Sequence, residues 1–255
     1  MSRGFPVRVL SLAALACVLA AACVGREGDG KVEGELDVTD CWSGLFDLEP
    51  NFFGAETYRD TMTLRLQRDS DFFTYADGVS ILVDDFRAIR GAPAEGSKPA
   101  IPSRYGETLR VGLPPEVTPP NTPVVADPDP PLVHLNLYLQ KTCRTQNVAL
   151  YAADQVVMGA DGTCSAVTQD CAALAAGTPA AVTTAKSTIT FTSLFNGDIL
   201  ESEEAEKRIA GHFDVYLADP REACPGGLQP PPCRGHLEGD FDYIYNRSRP
   251  YQPFP

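Results

Sequence analysis

The chain has 255 residues, 44% of them hydrophobic, and sets 21 lysines and arginines against 34 aspartates and glutamates for a formal charge of -13 at pH 7. Such a field repels a phosphate polyanion, so nucleic acid is disfavoured as a partner. The acids are spread along the chain rather than gathered in one tail, the distribution of a solvated surface, and the length suits a single core in an all-β domain.

Arg3 and Arg8 open the chain, and Val9 to Ala22 follow with nothing more polar than Ser11. A cationic start and a short apolar run make a signal peptide's plan. The run falls short of the roughly 20 apolar residues that a membrane-spanning helix needs. Gly25 to Gly30 after it hold no cationic stop-transfer cluster. The box Ala20, Ala21, Ala22, Cys23 resembles the bacterial lipoprotein signal, although Leu19 stands four places before the cysteine where that family most often has Leu at three. The resemblance implies cleavage before Cys23 and acylation of that residue; the absence of Asp at Val24 implies the outer membrane. Ala20 and Ala22 also fit ordinary secretory cleavage, which releases a soluble protein. Removing residues 1 to 22 takes away two arginines and no acid, leaving a charge near -15.

Residues 23–35 read as a flexible polar tether, with regular structure from Leu36 to the end. In "TMTLRLQ" Met62, Leu64 and Leu66 share one face, and in "LVHLNLYLQ" Val133, Leu135, Leu137 and Leu139 do the same. Period two is the mark of a half-buried strand. "VSILVDD", "NVALYAADQVVM" and "STITFTSLF" add further β-branched and aromatic runs, while helical spacing is weak and confined to "ESEEAEKRIAG". Residues 114–131 carry eight prolines and read as a long surface loop, and "AALAAGTPAA" as a smaller one. The pattern predicts an all-β fold: a single antiparallel β-sandwich with long Pro-rich loops and little helix.

Near the C-terminal end, Ile209, Gly211, Phe213 and Val215 alternate in one segment, and Leu237, Gly239, Phe241 and Tyr243 in another. An aromatic ring from a neighbouring strand can cover a glycine. The two segments are expected to pair, with each glycine roofed by the other strand's phenylalanine.

Beyond the leader stand Cys41, Cys143, Cys164, Cys171, Cys224 and Cys233. An even number in an exported chain implies disulfides. Proximity favours Cys164 with Cys171 and Cys224 with Cys233, leaving Cys41 for Cys143. No C-x-x-C pair is present, which speaks against a structural zinc site.

On the outward side of the C-terminal pair lie His212, Asp214, Glu238, Asp240 and Asp242. Cross-strand neighbours about 5 Å apart could share calcium or another divalent cation, so these five are candidate metal ligands; polar residues on an exposed sheet are the plainer account, and no cofactor is required. Asp69, Asp71 and Asp77 in "DSDFFTYADG" stop matching a calcium loop after the second ligand and read as a turn. The chain has no G-x-S-x-G, H-E-x-x-H or S-x-x-K motif and no Gly-rich phosphate loop, so no catalytic residue is assigned. His134, on an outward strand position, is the candidate base if a serine is brought near it. Trp42 is expected to pack against the Cys41 disulfide in the core rather than stack on a sugar.

"CWSGLFDLEPNFFGAETYRDTMTLRLQ" and "GDFDYIYNRSRPYQPFP" resemble stretches of uncharacterised predicted lipoproteins of Gram-negative bacteria, a likeness that implies export and carries no residue roles. The expectation is a non-catalytic envelope lipoprotein, membrane-held by its lipid, with a binding or structural role towards an envelope protein or glycan. The alternative is a secreted or periplasmic hydrolase, or a metal-binding domain that uses a His/carboxylate cluster.

Overall fold

Strand alternation decides which side chains face the core, and strand pairing decides how that core closes. A computed structural model describes residues 28–69, 76–117, 129–144, 148–159, 161–164, 171–172, 184–195, 207–224 and 229–245. The signal segment, Cys23, Asp71, residues 118–128 of the Pro-rich loop, most of "AALAAGTPAA" and residues 201–206 of the weak helical stretch lie outside the described residues.

Among the described residues, eleven strands form one antiparallel sheet that curls into two layers. One layer runs β2 (Trp42–Leu48), β1 (Gly28–Val38), β13 (Cys233–Ile244), β12 (Arg208–Ala218), β11 (Thr188–Ser193) and the short β6 (Leu109–Arg110). The other runs β3 (Phe52–Tyr58), β4 (Thr61–Arg68), β5 (Asp77–Val83), β7 (Val133–Leu139) and β8 (Ala149–Ala152). The expected sandwich is therefore two halves of one sheet. They join where β12 leaves β11 and pairs with β8 through Leu217↔Ala152 and Ala218↔Tyr151. At the far side Tyr243 on β13 donates to the Gly54 carbonyl on β3 at 3.1 Å, and its ring lies 5.3 Å from that of Phe53.

Inward residues of both layers fill one core. Met62, Leu64 and Leu66 meet it from β4, Val133, Leu135, Leu137 and Leu139 from β7, and all are buried. The β12–β13 register is Gly211↔Phe241 and Phe213↔Gly239, the interlock expected from the sequence. A Cβ on Gly239 would lie 2.3 Å from Phe213 Cζ, and one on Gly211 2.8 Å from Phe241 Cζ. Only glycine leaves room for the opposing ring.

One boundary and one element differ from expectation. Regular structure starts at Gly28 rather than Leu36, because Gly28, Gly30, Val32 and Leu36 take the inward side of β1 and residues 28–36 pair with β13. A Cβ at Gly28 would stand 2.4 Å from Tyr243 Cβ, so the small residues that look like a tether are where aromatic rings approach the strand. One short helix, α1 (Phe86–Arg90), follows β5, capped by Asp85, whose side chain accepts from the Arg87 and Ala88 amides at 3.0 Å each. It buries Phe86 and Ile89.

All six cysteines beyond the leader are paired. Cys41–Cys143 is as expected and ties the β1–β2 turn to the segment after β7, one layer to the other. The remaining bonds are Cys164–Cys233 and Cys171–Cys224, not the local pairs that proximity suggested. The reason for the first lies in a small side sheet, β9 (Val156–Val157) with β10 (Thr184–Ala185): Val157 bridges to Pro232, and Met158 and Cys164 pack against the cluster that holds Cys233, the first residue of β13. Chain-entropy reasoning gives these longer closures about 4 kcal/mol each, more than the local loops would contribute. No helix among the described residues is long and apolar enough to cross a membrane.

Candidate functional site

The outer face of the β2–β1–β13–β12 layer is where the sequence's polar candidates fall. Outward positions of β13 are His236, Glu238, Asp240 and Asp242, and those of β12 are Arg208, Ala210, His212, Asp214 and Tyr216. Register then sorts the five candidate ligands into three separate groups.

Asp242 is held by Arg208, which reaches both carboxylate oxygens, the Nε bond being 2.8 Å. Hydrogen bonding from that guanidinium keeps the Asp242 carboxyl below the usual carboxylate range. His212 pairs with Asp240, Nδ1 to Oδ1 at 3.1 Å, both exposed. Asp214 stands directly opposite Glu238, and there the structure supplies a residue that the candidate set missed: His236, whose Nε2 is 2.7 Å from Asp214 Oδ1. Asp214, His236 and Glu238 each offer a donor atom, and these atoms lie within 4.8 Å of one another. The parity of His236 with Glu238 along β13 was the available signal.

Tyr216 is the cross-strand partner of His236, and the two rings stack at 4.4 Å with planes 11° apart. Burial pushes the Tyr216 phenol up, and the Asp214 and Glu238 charges push in the same direction. On the other side of β13, Glu33 faces Glu238 and Glu35 faces His236; beyond them Asp47 faces Glu33. Asp47, Glu33, Glu238 and Asp214 thus form one row across four strands. Like charges directly opposite each other destabilise a sheet. Lys31 pairs with Glu33 near the β1 end of the row.

A cleft of about 1000 Å³ lies towards the end where β1 begins, with Lys31, Asn51, Arg68, His212, Asp240 and Asp242 among its lining residues. Its walls carry both charge signs.

His134 is not an available base. It occupies the outer side of β7 as expected, yet is only 6% exposed, with Nδ1 facing the Gly112 carbonyl at 2.8 Å and Nε2 the Asp84 carboxylate at 3.0 Å. Both nitrogens are engaged in holding loops. Asp77 is likewise structural, accepting from Lys141 N, Thr142 N and Thr142 Oγ1 at 2.6 to 3.1 Å. Asp69 pairs with Lys141. Trp42 sits half-buried at the rim of the core, edge-on to Phe46 at 6.0 Å. Comparison of the chain with protein-family models, with curated proteins and with solved structures gives no match.

Proposed function

We propose that the protein is exported, held at the cell envelope by acyl chains on Cys23, and serves there as a non-catalytic binding module whose contact surface is the polar outer face of the β2–β1–β13–β12 layer and the adjoining cleft. The pairing of all six cysteines carries this reading, because such bonds persist where thiols oxidise and are rare in the cytosol. Two or more acyl chains, at about 0.8 kcal/mol per buried methylene, hold a protein stably where one does not. With Val24 after the acylated cysteine, the outer membrane is the expected destination, and an envelope protein or glycan the expected partner.

Intact mass of the protein extracted from membranes, measured with and without reduction, tests this. The expected species lacks residues 1–22, carries the mass of the acyl groups, and gains six hydrogens when its three disulfides are reduced. A cytosolic chain with its leader intact and free thiols overturns the proposal; a cleaved but unacylated soluble chain overturns the anchor.

A further inference from the structure

We infer that Asp214, His236 and Glu238 form a binding site for a divalent transition-metal cation of the zinc class. The site goes beyond the envelope role and stands whether or not Cys23 is acylated.

Three observations converge on it. First, the donors are brought together by backbone register, since Asp214 and Glu238 are direct cross-strand partners and His236 lies two residues before Glu238 on the same face. Zinc binds imidazole nitrogen at about 2.0–2.1 Å and carboxylate oxygen at about 2.0–2.2 Å, so its donors stand roughly 3.4 Å apart around a tetrahedron. His236 Nε2 and Asp214 Oδ1 are already 2.7 Å apart, and all three donor atoms fall within 4.8 Å. The Nε2–Oδ1 hydrogen bond would open by less than about 1 Å and the exposed Glu238 carboxylate would draw in to reach that spacing, side-chain adjustments that leave the strand register as it is. Second, the Tyr216 ring stacked on His236 fixes the imidazole plane with Nε2 turned to Asp214. An oriented imidazole loses less freedom when it takes up a metal. Third, the row Asp47–Glu33–Glu238–Asp214 is served by the Lys31 ammonium near its β1 end, whereas at the Asp214–Glu238 end an imidazole stands in that place. A divalent ion there relieves the opposition of the two carboxylates and converts the histidine from neighbour to ligand.

Donor chemistry selects the ion. One imidazole with two carboxylates matches the nitrogen and oxygen ligation of three-residue zinc sites whose fourth position is filled by water. Calcium takes 6–8 oxygen ligands, so an imidazole beside two carboxylates is a poor cage for it. The inference narrows the five candidates for calcium or another divalent cation, His212, Asp214, Glu238, Asp240 and Asp242, to Asp214 and Glu238 and adds His236. Asp242 is engaged by Arg208 and is no part of it.

The test is calorimetric titration of zinc chloride, and separately of calcium chloride, into the metal-stripped full chain. Saturable binding of one zinc is expected, with no comparable calcium isotherm. His236→Gln and Asp214→Asn should abolish the zinc isotherm, Tyr216→Leu should weaken it about tenfold by freeing the ring, and His212→Gln, at the neighbouring His–Asp pair, should leave it unchanged. Zinc-edge X-ray absorption on the loaded wild-type protein gives a reading free of any folding defect in the variants: one imidazole among oxygen donors is expected. No saturable zinc binding, equal loss in His212→Gln and His236→Gln, an all-oxygen shell, or sulfur donors in the shell would each overturn the site.

Discussion

The two layers of the sandwich both carry polar outer faces, and they use them in opposite ways. On the β4–β5–β7 face the polar side chains are closed in: Gln67 is 1% exposed, Arg65, Ser80 and His134 are buried with it, and Tyr138 donates to Gln67 Oε1 at 3.0 Å. Burial pushes the Tyr138 phenol above its ordinary range. On the β1–β13–β12 face carboxylates oppose carboxylates in the open. A buried polar group must find its partner or cost about 1–3 kcal/mol, so the first face works as structure. The second is free to meet solvent, a cation or another molecule.

Substitutions can break this contrast. The largest expected effect is at the bond that ties the layers together: Cys41→Ser with Cys143→Ser should cost up to about 4.7 kcal/mol, read as a lowered denaturant midpoint. Next, Asp77→Ala removes the acceptor of three hydrogen bonds at the turn after β7 and should cost about 3 kcal/mol by the same measurement. A matched pair of histidine variants then separates the faces. His134→Ala leaves the Gly112 carbonyl without its donor and should cost about 2 kcal/mol, whereas His236→Ala on the open face should change stability by less than about 0.5 kcal/mol. Equal losses from the two would erase the distinction.

The smallest effect is one of pH. The folded Asp242 carboxyl is lowered by Arg208, so its contribution is present above the unfolded carboxylate range and is lost as pH falls through the folded value. Thermal melts in acid should show a shallower decline for Arg208→Gln than for wild type. Because both side chains are about half exposed, salt should shrink that difference.

Much of the inner architecture could be read in the sequence, since period two marks the core face of β4, β7, β12 and β13, and the Gly211/Phe241 and Phe213/Gly239 interlock followed from glycine and phenylalanine alternating in two segments. Three features could not be read there. Small inward residues hid β1, because glycine does not register as apolar until the Phe53 ring that lies against Gly28 and Gly30 is known. Cysteine pairing followed a distant bridge, Val157 to Pro232, rather than separation along the chain. The outer face of β7 was misjudged at His134, because alternation tells outward from inward but not covered from open: His134 shares the outward parity of Asn136 and Tyr138 and is nonetheless buried. In the candidate site, Asp214, Glu238 and, by the same parity, His236 were legible from strand alternation. That His236 stands against Tyr216 and reaches Asp214 needed the register.

The early start of β1 has a consequence for posture. With Cys23 acylated as proposed, residues 24–27 alone separate the lipid from Gly28, a leash of roughly 18 Å at full stretch. An anchor at that distance would hold the molecule low on the bilayer, with the start of β1 and the cleft beside it towards the headgroups. Glu35, the partner of His236, lies about 24 Å further along the strand, so the Asp214–His236–Glu238 cluster would stand clear of such an anchor.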